Sequence, residues 1–109
     1  MTARIVLTTC ADDPAAAALA GALVERGLAA CVTRLPAARS VYRWRGRVCE
    51  DAEVQLLIKT TAGREAALLE ALAELHPYEE PEILTLSVTG GSPGYLQWIE
   101  DSVTEPSGG

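Results

Sequence analysis

Apolar positions along this chain alternate at strand spacing, shift to helical spacing, and repeat that change twice. Residues 4–9 (RIVLTT) are a short, β-branched run that predicts a buried strand. Asp13 followed by Pro14 predicts a helix start, because Asp accepts free N–H groups and proline in the first turn removes no needed donor. Leu19 and Leu23 among alanines carry the helical stripe. Gly27 tolerates positive φ and stands where a C-terminal cap belongs, so the helix is expected over 14–26.

A second strand signal runs from Leu28 to about Arg34, before Pro36. A β-branched and aromatic stretch follows over 40–44, and Arg45-Gly46 fits a hairpin turn. The return strand is expected over 48–59, with VQLLIK at its apolar end. Asp51 and Glu53 turn its near half toward solvent or another chain. Thr61 is the expected cap of a second helix carrying Leu68, Leu72 and Leu75, and His76-Pro77 ends it because proline disfavours helix in its predecessor. A fourth strand is expected over 81–88. After Gly90 and Gly91, Ser92-Pro93 repeats the cap-plus-proline signal. It opens a short helix holding Tyr95, Leu96, Trp98 and Ile99.

The order β-α-β-β-α-β plus a terminal helix predicts an α+β, ferredoxin-like split β-α-β sandwich. One domain is expected over 1–103, with a loose tail over 104–109. Two helices cover one face of such a sheet. The opposite face carries no helix except the last, and the 40–59 hairpin is long for so small a domain. An open apolar sheet face is a liability, so both features point to self-assembly.

Composition narrows the function. The 109 residues are 49% hydrophobic, near the norm for a globular chain. There are 9 basic and 15 acidic residues, a net charge of -6, which argues against a nonspecific nucleic-acid binder. An RNA-recognition module of the same topology stacks bases on central-strand aromatics, and IVLTT and VQLLIK carry none. Arg34, Arg39, Arg43, Arg45 and Arg47 lie close together, whereas 65–82 is rich in Glu. Cys10, Cys31 and Cys49 form no CxxC pair, so reduced thiols and a cytoplasmic location are expected. No signal-peptide core and no membrane-length apolar run is present in the sequence. No serine or cysteine has an evident base partner, and the single histidine leaves few options, so no enzyme is expected.

Five stretches occur together: LAACVTRLP (28–36), SVYRWRGRV (40–48), VQLLIKTT (54–61), HPYEEPEIL (76–84) and VTGGSPGYLQWI (88–99). In order and spacing they resemble the CutA family, the divalent-cation tolerance proteins, over almost the whole chain. The resemblance implies a homotrimer similar in architecture to the PII signalling proteins, with sheets facing inward and the long hairpin reaching a neighbour. It also implies a link to tolerance of copper and other divalent metals, with action by metal binding and assembly and no organic cofactor. The alternative is a PII-like sensor of a small anionic ligand in the cleft between subunits.

Cys31 matches a cysteine that some relatives share, and a thiolate suits copper(I) or zinc. Its plainer reading is a small buried hydrophobe. The strand-one cysteine of relatives aligns nearer Thr8 than Cys10. His76 with Glu79, Glu80 or Glu82 offers imidazole and carboxylates for a divalent ion. Its plainer reading is a helix-ending cap. The expected metal set is therefore Cys31, His76, Glu79 and Glu82. Lys59, Arg43 and Glu82 are the expected cleft residues, with Lys59–Glu82 as an ordinary ion pair the plainer alternative. Tyr42, Trp44 and Tyr78 are the expected interface anchors. Tyr95 and Trp98 are expected to pin the last helix to the core, and Cys49 to be exposed.

Overall fold

Strand one and the long return strand are the most apolar extended segments, and they lie side by side at the centre of the sheet. The structure is a computed structural model that describes residues 2–103. The loose tail expected over 104–109 lies outside the described residues. β1 (Ala3–Cys10), α1 (Asp13–Glu25), β2 (Cys31–Trp44), β3 (Arg47–Thr61), α2 (Ala62–Leu75), β4 (Leu84–Ser87) and α3 (Pro93–Ser102) follow in order. The strands form one antiparallel sheet ordered β2-β3-β1-β4, as the split β-α-β reading requires.

Strand alternation assigns the two faces. Val6, Thr8 and Cys10 pair with Ile58, Leu56 and Val54, and these face the helices. Leu19 and Leu23 of α1 and Leu68 and Leu72 of α2 close over them in the main core. Ile5, Leu7 and Thr9 pair with Lys59, Leu57 and Gln55 on the opposite face. Leu84 and Leu86 extend that face at the edge and are 56% and 47% exposed. One end of it is covered by α3, where Ile99 and Leu96 pack on Ala3, Ala30 and Val88.

Several boundaries differ from the sequence expectation. Asp12, not Asp13, caps α1: its backbone is extended and its carboxylate accepts from the Ala15 N–H at 2.9 Å. β2 does not stop at Pro36. It runs on as an edge strand, where a missing N–H costs no ladder bond, through a bulge between Leu35 and Ala38 with Ala37 at φ 61°. β4 is shorter than the expected 81–88, because Pro81 has no N–H to donate and the preceding segment is tied to other strands. The hairpin turn holds Arg45 at φ 49° and Gly46 at φ 76°, the left-handed pair that matches strand twist. Beyond the body, β2 and β3 project as a two-stranded arm, giving extents of 47 × 29 × 22 Å.

Candidate functional site

Where the arm leaves the body, its face continuous with the open sheet face bounds a groove of about 480 Å³. Ser40, Tyr42 and Trp44 of β2 form one wall and Asp51 and Glu53 of β3 its floor. Thr9 closes the inner end, and Tyr78, Glu80 and Glu82 form the facing wall.

That second wall belongs to an irregular segment, and His76 fixes it. His76 is buried at the end of α2. Its Nδ1 accepts from the Tyr78 N–H at 3.1 Å, so Nε2 carries the proton and donates to the Thr9 carbonyl at 2.8 Å. The His76 and Tyr78 rings meet at 4.8 Å between centroids. The Tyr78 hydroxyl then reaches across the groove and donates to Glu53 at 3.3 Å. The Tyr42 hydroxyl donates to Asp51.

These bonds set the titration of the phenols. Its hydrogen bond to Asp51, with the adjoining negative charge, pushes Tyr42 up to about 12. Burial, then the Glu53 charge, pushes Tyr78 up. Both rings therefore stay neutral donors through the physiological range. Burial and the nearby Asp12 and Glu53 charges also raise the Cys10 thiol, which leaves it a poor nucleophile. The ion pairs among the described residues are Arg4–Glu65, Arg34–Asp13 and Arg39–Glu50. None involves Asp51, Glu53, Glu80 or Glu82, so the groove is acidic without internal compensation.

The expected site residues divide between this groove and the far end of the open face. Tyr42, Trp44 and Tyr78 come together in the groove, with Tyr42 40% and Trp44 59% exposed. Glu82 joins them, whereas Glu79 is exposed and lines no part of it. Cys31 does not join His76. It pairs with Lys59 at the level of Ile5, while His76 is tied at Thr9, about 13 Å further along β1. Among the described residues, no group of three or more His, Cys, Asp or Glu side chains is placed to hold a metal ion. Both nitrogens of His76 are already engaged, so it does not offer a free lone pair. Nor does the ring cap the carbonyls of its own helix; its acceptor is on β1.

Lys59 does not pair with Glu82. Its ammonium donates to the Thr33 hydroxyl at 3.1 Å and stands 4.0 Å from the Cys31 sulfur. Arg43 pairs with Val48 out on the arm, roughly 36 Å of strand from Lys59, so one chain does not gather the expected cleft set. Lys59 instead lines a cavity of about 190 Å³ with Ile5, Gly90, Gly91 and α3. Tyr95 and Trp98 do not pin α3. They stack on each other at 5.5 Å and are 44% and 45% exposed, because Leu96 and Ile99 take the inward stripe. Cys49, expected to be exposed, is partly buried within the arm, where it pairs across the hairpin with Tyr42.

The alternation of Ser40 and Tyr42 against Asp51 and Glu53 was available as a sequence signal for one wall. Nothing in the local pattern singles out Thr9, which lines the inner end of the groove where His76 bonds to its carbonyl.

Residues 4–102 match the family described as CutA1 divalent ion tolerance protein. The divalent-cation tolerance protein CutA of Pectobacterium atrosepticum is 48% identical over 101 residues, covering 93% of this chain and 92% of that protein. The crystal structure of CutA from Xylella fastidiosa superposes with a TM-score of 0.90 at 43% identity, covering 94% of this chain and 98% of that one. The crystal structure of CutA1 from Oryza sativa superposes with a TM-score of 0.92 at 38% identity, covering 97% of each.

Proposed function

The chain belongs to the CutA1 divalent ion tolerance family, and from that membership we propose that it acts as a homotrimer that binds copper or another divalent metal. The family is one of divalent ion tolerance, which fits action by binding and assembly rather than by turnover. No helix among the described residues is long and apolar enough to cross a membrane. With three free thiols, we place its work in the reducing cytoplasm.

The observation that carries the assembly is the open sheet face. Leu35, Leu84 and Leu86 are each about half exposed there, beside Leu7, Leu57 and Ile5. Two further copies seal that face, and the projecting arm supplies the reach between them. Docked arms bring Tyr42 and Trp44 against a neighbour, with Tyr78 behind them.

The metal reading follows from the same assembly. Cys31 and Glu82 are apart in one chain, so a site using both draws on different copies. Cys31 supplies the soft ligand, Glu82 and Glu79 the carboxylates, and His76 joins only if it releases Thr9 or Tyr78. Calorimetry of the reduced protein with copper(I) and with zinc tests this. Saturable binding that falls in Cys31→Ala supports it; no binding by the parent protein removes it.

A second reading is favoured by Lys59, whose ammonium has no carboxylate partner among the described residues and faces a cavity. A small anion held there, with Arg43 arriving from a neighbouring arm and Glu82 setting the boundary, is the PII-like alternative. Titration with inorganic phosphate separates the two: heat that disappears in Lys59→Ala but persists in Cys31→Ala belongs to the anion.

A further inference from the structure

We infer that the tip of one copy's arm docks in the acidic groove at the base of the next copy's arm, arginines against carboxylates. This rests on the trimer reading above and names the two surfaces that meet. Their charges are opposite. Arg43, Arg45 and Arg47 crowd the hairpin turn, all exposed, and none forms an ion pair among the described residues. Asp51, Glu53, Glu80 and Glu82 line the groove, and they too have no cationic partner there. Arg39, midway along the arm, is different: it reaches Glu50 of its own chain at 3.5 Å. The unmatched charges are therefore confined to the tip and the base.

The tip does not answer its own groove floor. Along β3, Asp51 and Glu53 stand about 13 and 20 Å from Arg47. Exposed charges at physiological salt act over roughly 8 Å. The ladder that pairs Ala38 with Glu53 and continues out to Trp44 with Arg47 keeps the ribbon extended, so the tip does not fold back. A second copy brings the two surfaces together. Tip against base is a contact between different patches, hence head to tail, the kind that closes a ring.

The groove is prepared for a guanidinium. The Tyr42 and Tyr78 hydroxyls donate to Asp51 and Glu53 and fix those carboxylates before a neighbour arrives. The rings offer apolar surface to the methylene stems of arginine. Within one chain the Arg45 guanidinium carbon already lies 5.4 Å from the Trp44 ring centroid, a cation–π contact at the rim.

Charge reversal on each side, alone and together, tests the pairing in the full-length protein. Arg45→Glu with Arg47→Glu reverses the tip, and Glu80→Arg with Glu82→Arg reverses the wall facing the arm. All four side chains are exposed, so the fold of each chain should be kept, which circular dichroism checks. Dissociation in urea is followed by light scattering. Each reversal alone should lower the midpoint, since like charges then face each other. Combining them should return the midpoint toward the parent's value, because opposite charges meet again with the signs exchanged. General repulsion predicts otherwise: the wall reversal reduces the net charge of -6 and would tighten association. Midpoints unchanged by either reversal, or shifts that merely add in the combined variant, would overturn the inference and leave the trimer standing. A parent protein that is a single chain would overturn both.

Discussion

His76 shows how a single side chain converts a loose segment into a wall. Its two nitrogens join Thr9 of β1 to Tyr78, and Tyr78 joins Glu53 of β3. Removing the ring leaves a carbonyl and an N–H without partners, each worth about 1–3 kcal/mol when buried. His76→Phe should therefore lower the urea midpoint of unfolding by the equivalent of ~2–4 kcal/mol. Thr8 is the opposite case. Its hydroxyl is buried with no hydrogen-bond partner, so Thr8→Val, nearly the same shape, should leave stability unchanged or raise it by up to ~2 kcal/mol. Tyr42 gives a pH signature. Its folded pKa of about 12 lies above the ordinary 10.0, so the stabilisation from its bond to Asp51 is complete below pH 10 and is lost as pH rises toward 12. A phenolate absorbance titration should show a late step near 12 that Tyr42→Phe abolishes. At this scale the sequence was partly legible. The sequence suggests Tyr42, Trp44 and Tyr78 as interface anchors, and the fold gathers the three rings along one groove. The partners of His76 did not stand out, because they depend on where β1 lies after folding and not on any spacing.

Elements were easier to read than contacts, since each is set by local chemistry. The alternating run 54–58, the Leu68–Leu72–Leu75 stripe and the Gly27 cap all appear where periodicity and φ preference place them. The differences have a common cause in tertiary context. Pro36 marks a strand end by local rule, yet at a sheet edge it interrupts nothing. The stretch from Pro81 has strand character, yet its pairing with β1 runs only from Arg4 to Leu7. In α3, Tyr95 and Trp98 share one side and Leu96 and Ile99 the next, and two adjacent stripes on a ten-residue helix do not declare which is buried. The arm depends on its turn. Gly46 has open space around a Cβ but a φ of 76°, so Gly46→Ala tests backbone strain alone. It should destabilise the hairpin by about 1 kcal/mol, seen as a lowered thermal midpoint with the body's core intact.

At the scale of the molecule, shape and surface agree. The radius of gyration is 14.7 Å, above the ~13 Å of a compact chain this long, because the arm stands away from the body. A two-stranded ribbon is marginal by itself, and the leucines of the open face remain in water in a single chain. Both are relieved if copies of the chain close on one another. The double variant Leu84→Asp with Leu86→Asp places charges at the exposed edge of that face, away from the main core. It should shift the protein toward single chains while preserving the helical circular dichroism signal. The need for a cover was legible in the sequence as a sheet with helices on one side. The groove was not, because it forms between an arm and a segment that meet only in three dimensions.

The most direct test of the whole account is the mass of the unmodified protein at micromolar concentration by multi-angle light scattering. Closure of the open face by two further copies predicts a single species of three times the 11.5 kDa chain mass. A monodisperse 11.5 kDa particle would contradict it, since the exposed leucines would then be a tolerated surface and not an interface.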